Sequence, residues 1–296
     1  MRAFLIALAL SACVPELEQQ IAPIDRPIAI AVIAEPAEAA PGTSVAFHAV
    51  IATPGGEATA PTLAWSYCTT PKPPTEDGAV APACLDDPGV ALDGASADAS
   101  GKLPGKGCQL FGPLPAEQGA RPRDPDPTGG FYQPLRVRGA IDGTDLATIG
   151  LARIACDLAN APPAAVADFR ARYHANLNPP APTLTLDGAP LDGATIAAGA
   201  TVAITAAWSA DAAEAYVAYD QASATVVDRR EGLRATFHIT GGAVASDTLG
   251  FGEAETGTAV VDAFTAPTAP GPITIWVVLR DSRGGAAVSR ATVSVE

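Results

Sequence analysis

Few side chains in this 296-residue chain could do chemistry, and cysteine leads them, at positions 13, 68, 84, 108 and 156. A thiol can pair, hold a metal or attack carbon, and spacing helps to separate these roles. No CxxC pair occurs, and the shortest interval among Cys68, Cys84, Cys108 and Cys156 is 16 residues, so a zinc site lacks its usual ligand spacing and no metal is expected. These four cysteines allow three pairings, of which we favour Cys68 with Cys84 and Cys108 with Cys156. His48 and His238 sit in strand-like runs beside Phe47 and Phe237, and His174 ends a helical run, which reads as structural rather than catalytic. There is no HExxH, GxSxG, GxxxxGKS/T or helix-opening GxGxxG. Metalloprotease, α/β-hydrolase and nucleotide chemistry therefore lack their starting geometry, no cofactor is expected, and the chain reads as a non-enzyme. One loop spaces oxygen ligands as calcium requires: Asp124-Pro125-Asp126-Pro127-Thr128-Gly129-Gly130 has carboxylates two apart, a hydroxyl two further on, then glycine. Threonine in place of a third acid, two stiff prolines and Leu135 at the closing-acid position favour an ordinary proline turn.

The frame that positions these groups reads as all-β. Only 17% of residues are charged, glycine and proline number 28 each, and helical periodicity is scarce, which suits short strands joined by many turns. Strands are expected over 27–34, 43–52, 63–67, 131–141 and 146–156, with Trp65 as a core aromatic and Asp142-Gly143 as a hairpin turn. Residues 69–130 break this rhythm with 11 prolines and read as a long insertion, with short strands expected around Val90–Leu92 or Cys108–Phe111. One helix is expected over Pro163–His174, with Val166, Phe169, Arg170 and Tyr173 at helical spacing. Further strands follow over 183–186, 201–208, 215–218, 233–240, 258–264, 273–280 and 286–295, the last two joined by the turn Asp281 to Gly285. A repeat is visible at one spacing of 157 residues, from Gly42 to Gly199, Val45 to Val202 and Phe47 to Ile204.

Two resemblances add to this reading. Arg2, the eight apolar residues Ala3 to Leu10, and then Leu10-Ser11-Ala12-Cys13 together resemble the signal and lipobox of bacterial lipoproteins. A spanning helix needs about 20 apolar residues, so an export signal fits better. The resemblance implies cleavage before Cys13 and a lipid on its thiol, and Val14 rather than aspartate would favour the outer membrane under the enterobacterial sorting rule. The ending ITIWVVLRD, a glycine turn and ATVSV is similar to the closing hairpin of bacterial immunoglobulin-like and polycystic-kidney-type domains.

The expected organisation is a signal peptide over 1–12, a tether over 13–25, an immunoglobulin-like sandwich over 26–178 carrying the insertion 69–130, and a second such sandwich over 179–296. A formal net charge of −14 argues against nucleic acid as a partner. The membrane, through the lipid, is the expected contact, with an envelope protein or polysaccharide as a further partner. The function expected is a non-catalytic structural or binding role in the cell envelope, with the insertion as the contact surface. The alternative is a surface polysaccharide-active enzyme or its accessory module.

Overall fold

Wherever apolar and polar residues alternate the chain runs as strands, and each half folds its strands into two facing sheets. The computed structural model describes residues 21–70, 80–86, 89–110 and 126–296. In the first unit the main strands are β1 (Ile28–Glu35), β2 (Ser44–Thr53), β3 (Leu63–Tyr67), β4 (Asp98–Lys102), β5 (Gly130–Ile141) and β6 (Thr144–Ala155). Strand β2 pairs antiparallel with β1 and with β4, while the facing sheet runs β3-β5-β6. Val45, Phe47 and Ile51 from one sheet meet Trp65, Leu135, Val137 and Ile154 from the other. Trp65 is the core aromatic expected of it, and its indole N–H donates to the Ser96 carbonyl at 2.8 Å.

After helix α1 (Pro163–Arg172) come β7 (Thr183–Leu186), β8 (Thr201–Ala207), β9 (Ala215–Asp220), β10 (Thr225–Arg230), β11 (Leu233–Ile239), β12 (Thr248–Phe251), β13 (Ala259–Thr265), β14 (Gly271–Asp281) and β15 (Ala286–Val295). One sheet contains β7-β8-β13 and the other β15-β14-β11-β12, with β9 and β10 forming a separate hairpin. Ile204, Val260 and Phe264 pack against Phe237, Ile275, Val277 and Val293 between them. The chain is thus all-β, with facing sheets in each half and one helix of more than a single turn among the described residues.

The spacing of 157 residues seen in sequence is also structural. Glu38–Ala39 runs parallel to the end of β6, and Thr195–Ile196 runs parallel to the end of β15. Between each short strand and the next lies the same turn, closed by Thr43 N–H to the Ala40 carbonyl and by Ala200 N–H to the Ala197 carbonyl. Gly42 and Gly199 take φ of 81° and 71° in these turns, a left-handed conformation that favours glycine.

Several boundaries differ from expectation. Within residues 69–130 the short strand expected near Val90–Leu92 forms as Val90–Ala91 beside β3, and an unexpected strand, β4, pairs with β2, with Ala99 and Leu103 buried in the first core. The small and polar residues of DASGK hid β4, because its pairing comes from backbone groups and only one of its side chains is buried. Gly107–Leu110 is a helical turn rather than a strand, and Phe111 lies outside the described residues. The tether also ends before residue 25. Ile24 N–H donates to the Ile239 carbonyl and Ile239 N–H to the Ala22 carbonyl, each at 2.8 Å, so this segment lies against the second unit. Helix α1 stops at Arg172 because Tyr173 turns extended. The largely exposed β10 and the half-exposed β12 were absent from the expected strands, their apolar content being too low for a clear alternation. Cys68 is bonded to Cys84 and Cys108 to Cys156, with Cα separations of 5.4 and 5.5 Å. These bonds fasten residues 80–86 and the turn at 107–110 to the sheet carrying β3 and β6.

The continuous apolar run in β14 has a geometric cause. Ile275, Val277 and Leu279 point into their own sandwich, whereas Trp276 and Val278 point out and are buried by Ile24, Ile30, Ala31, Val50 and Ala52 near and within the first unit. A register shift between Ala29 and Ala31 lets consecutive residues of β1 face this seam. Trp276 has no exposed surface, so Trp276→Ala should remove about 3–5 kcal/mol of unfolding free energy in a urea titration.

Candidate functional site

Where the apolar seam ends, a buried polar seam begins, built on the turn that follows β14. Arg283 in that turn is 2% exposed. Its Nε donates to Glu231 Oε1 at 2.6 Å, its Nη2 to Glu214 Oε2 at 3.1 Å and its Nη1 to the His174 carbonyl at 3.4 Å. The guanidinium also lies over the Tyr216 ring, 4.9 Å from its centroid. Its backbone joins in, since the Arg283 carbonyl accepts the Tyr132 hydroxyl at 2.8 Å.

Asp281 shapes the turn and passes the network on. Its Oδ1 accepts the N–H groups of Arg283 and Gly285 at 2.8 and 2.9 Å, and the Asn176 side-chain amide lies 3.3 Å from both carboxylate oxygens. Asn176 N–H in turn donates to Glu38 Oε2 at 2.8 Å. Glu38 accepts the Tyr173 hydroxyl and faces Arg153 Nε at 3.1 Å. Arg153 ends the chain of contacts by donating to Thr128 Oγ1 at 2.8 Å. Residues 173–178 between the sandwiches are therefore held from both sides, and Asn178 extends this by donating to the Ala34 carbonyl and accepting Ala286 N–H.

The electrostatics follow from burial. Glu38, Glu231 and Asp281 are buried carboxylates, while Arg153 and Arg283 are the buried guanidinium groups facing them. Burial first, and the neighbouring Asp281 charge second, push Glu231 up to about 7, despite the opposing pull of Arg283. Burial likewise raises Asp281 above the ordinary carboxylate range. Chemically the seam can hold charge and take up a proton near neutrality, and what it positions is the two sandwiches.

The residues singled out by sequence lie elsewhere. Cys13, with its lipobox, lies outside the described residues, as does Asp124. Asp126 accepts the Thr128 N–H and hydroxyl at 2.8 and 2.7 Å, which is the local turn expected of it. His48 pairs with Asp98 at 2.7 Å at the surface, His174 Nε2 lies 2.7 Å from the Ala215 carbonyl, and His238 Nδ1 lies 3.0 Å from the Ile21 carbonyl. The four paired cysteines lie in the first unit, apart from the contacts made by Arg283. Reading for catalytic motifs passed over Glu38, Arg153, Asn176, Glu231, Asp281 and Arg283. Their available signal was a charge set in an apolar run, as Arg153 is within Leu151-Ala152-Arg153-Ile154-Ala155.

No protein-family model matches the chain, and no curated protein matches it in sequence. Among solved structures it is similar to the Yersinia pseudotuberculosis adhesin InvE, at 15% identity over 89% of this chain and 58% of that one, with a TM-score of 0.21. Domains 4 and 5 of the S-layer protein SbsC match at 11% identity over 85% of this chain and 82% of theirs, with a TM-score of 0.20. The protocadherin GammaB4 extracellular domain matches at 13% identity over 92% of this chain and 34% of that one, with a TM-score of 0.22.

Two measurements check the polar seam. An acid whose folded value is raised stabilises the fold below its unfolded value, and that contribution is lost as pH rises through the folded value. The melting temperature should therefore fall as pH rises from about 4.5, the ordinary value of a glutamate, to about 7, level off above that, and Glu231→Gln should flatten this slope. Arg283→Met leaves Glu231 and Glu214 without their cation and should cost about 3–5 kcal/mol in a denaturant titration at pH 8.

Proposed function

We propose that this chain is a lipid-anchored protein of a bacterial cell envelope, held by Cys13 at the outer membrane, whose two sandwiches serve a non-catalytic structural or binding role. The observation that carries this reading is the pair of disulfides, Cys68–Cys84 and Cys108–Cys156, because such bonds persist in oxidising compartments outside the cytosol. The lipobox-like ending at Cys13 supplies the anchor, and two fatty chains or more would hold it far more firmly than one.

The scaffold role draws support from the two seams, which tie the sandwiches together by apolar packing and ion pairs. Trp65, Trp208 and Trp276 are all buried, so none offers the exposed indole on which a sugar ring would stack, and this weighs against the polysaccharide-active alternative. The contact surface narrows from residues 69–130 to the loop side of β3. There the disulfide to Cys84 holds Leu85 at 42% exposure, and Val90, paired with Tyr67, stands at 54%. Loops fixed on a rigid sandwich commonly carry recognition.

Cys13→Ala should move the protein from the membrane fraction to the soluble fraction and abolish incorporation of labelled palmitate. Retention in the membrane without label would overturn the anchor. Crosslinking in the native envelope tests the surface: a Leu85→Glu, Val90→Glu variant should lose crosslinks that the parent protein makes, and an unchanged set would remove that surface from the proposal.

A further inference from the structure

The outer face of the second sandwich carries a pair of positive charges that no ion pair among the described residues balances. Arg234 on β11 and Arg280 on β14 are directly opposite one another in register, and like charges so placed repel. Neither makes an ion pair among the described residues. Arg280 is half-buried, donates from Nη2 to the Ile30 carbonyl at 2.7 Å, and is held below the ordinary arginine value by burial. A guanidinium taken out of water without a counter-charge is costly, so its retention calls for a compensating anion.

The surroundings supply room. Both arginines line an open groove of about 960 Å³, beside Thr236, Thr248 and the bare backbone of Gly250. The two carboxylates at its edge are committed elsewhere. Asp281 turns into the polar seam, and Glu253 accepts the Tyr216 hydroxyl at 3.1 Å and faces Arg229 at 3.8 Å. In a chain of net charge −14 two facing arginines stand against the prevailing field.

We propose that this groove binds an oxyanion, a carboxylate or phosphate group of a larger ligand, between Arg234 and Arg280. Arginine suits this role because its planar fork matches both groups in bidentate geometry. The hydroxyls of Thr236 and Thr248, 3.3 Å apart, offer hydrogen bonds to the part of the ligand beyond the anion.

The test is calorimetric titration of the full protein at pH 7 and constant ionic strength with trigalacturonate and with inorganic tripolyphosphate. Saturable binding of either supports the site, and the one preferred identifies carboxylate or phosphate as the source. Arg234→Gln should weaken that binding by about tenfold or more, the loss of a charged hydrogen bond, while the unliganded protein melts no lower than the parent because a repulsion is gone. Arg138→Gln, an exposed change on the first sandwich, should leave binding unchanged. Absence of saturable binding by either probe, equal binding by Arg234→Gln, or equal loss in Arg138→Gln would overturn the proposal. Arg280→Gln also breaks the bond to Ile30, so the decision rests on Arg234.

Discussion

Arg283 is a full charge with almost no access to water, and the junction between the sandwiches is arranged around that constraint. A guanidinium in such a place must find acceptors for its donors, or the fold bears a desolvation cost of several kcal/mol. Glu231 and Glu214 accept from it, one in the link between β10 and β11 and the other just before β9, and the His174 carbonyl accepts from the linker. Because the acceptors come from separate parts of the chain, meeting the charge fixes all of them. The closing turn, the β9–β10 hairpin and residues 173–178 cannot move independently while the side chain stays buried.

The apolar seam and the polar seam do different work. Trp276 and Val278 bury area, which is favourable in many relative orientations, and by themselves they would permit the sandwiches to slide. Ion pairs and hydrogen bonds are directional, so the path from Arg283 through Asp281, Asn176 and Glu38 to Arg153 singles out one orientation. Buried polar groups of this kind contribute little net stability and more to uniqueness. Each seam carries a local cost, since the Asn176 side-chain carbonyl in the polar seam and the Trp276 indole N–H in the apolar one have no hydrogen-bond partner among the described residues. The burial of Trp276 must therefore be supported by packing alone.

The strands that face a single core were legible from period two, as in β3 and β13, because burying one side and wetting the other writes alternation into the sequence. Strand β14 broke that rule by being apolar on both sides. Its continuous run identified a strand without saying that the second side faced another sandwich. Strand β4 was illegible for the opposite reason, since its contribution is made by backbone pairing. The polar seam was hidden because burial of a charge depends on residues far apart in sequence: Glu38 and Asn176 are 138 positions apart and meet only once both sandwiches have formed. Of the three pairings open to the four cysteines, the favoured one, Cys68 with Cys84 and Cys108 with Cys156, is the one formed.

The internal repeat explains how such a junction can arise from two similar sandwiches. Each unit ends in a long antiparallel hairpin, and the first closes it with Asp142 and Gly143, both exposed and both in the left-handed region, as a tight two-residue turn demands. The second replaces that turn with Asp281-Ser282-Arg283-Gly284-Gly285, in which Asp281, Arg283 and Gly285 are buried and Ser282 and Gly284 are exposed. Longer by three residues, it can turn a side chain inward. Gly285 is part of the reason, since a Cβ there would lie 2.1 Å from Asp281 Oδ2 and 2.8 Å from the Leu177 carbonyl. The same hairpin end is therefore a solvent-facing loop in one sandwich and the connector in the other. What separates them is the charge on Arg283 and the absence of a side chain that would keep Asp281 and the linker from closing over it.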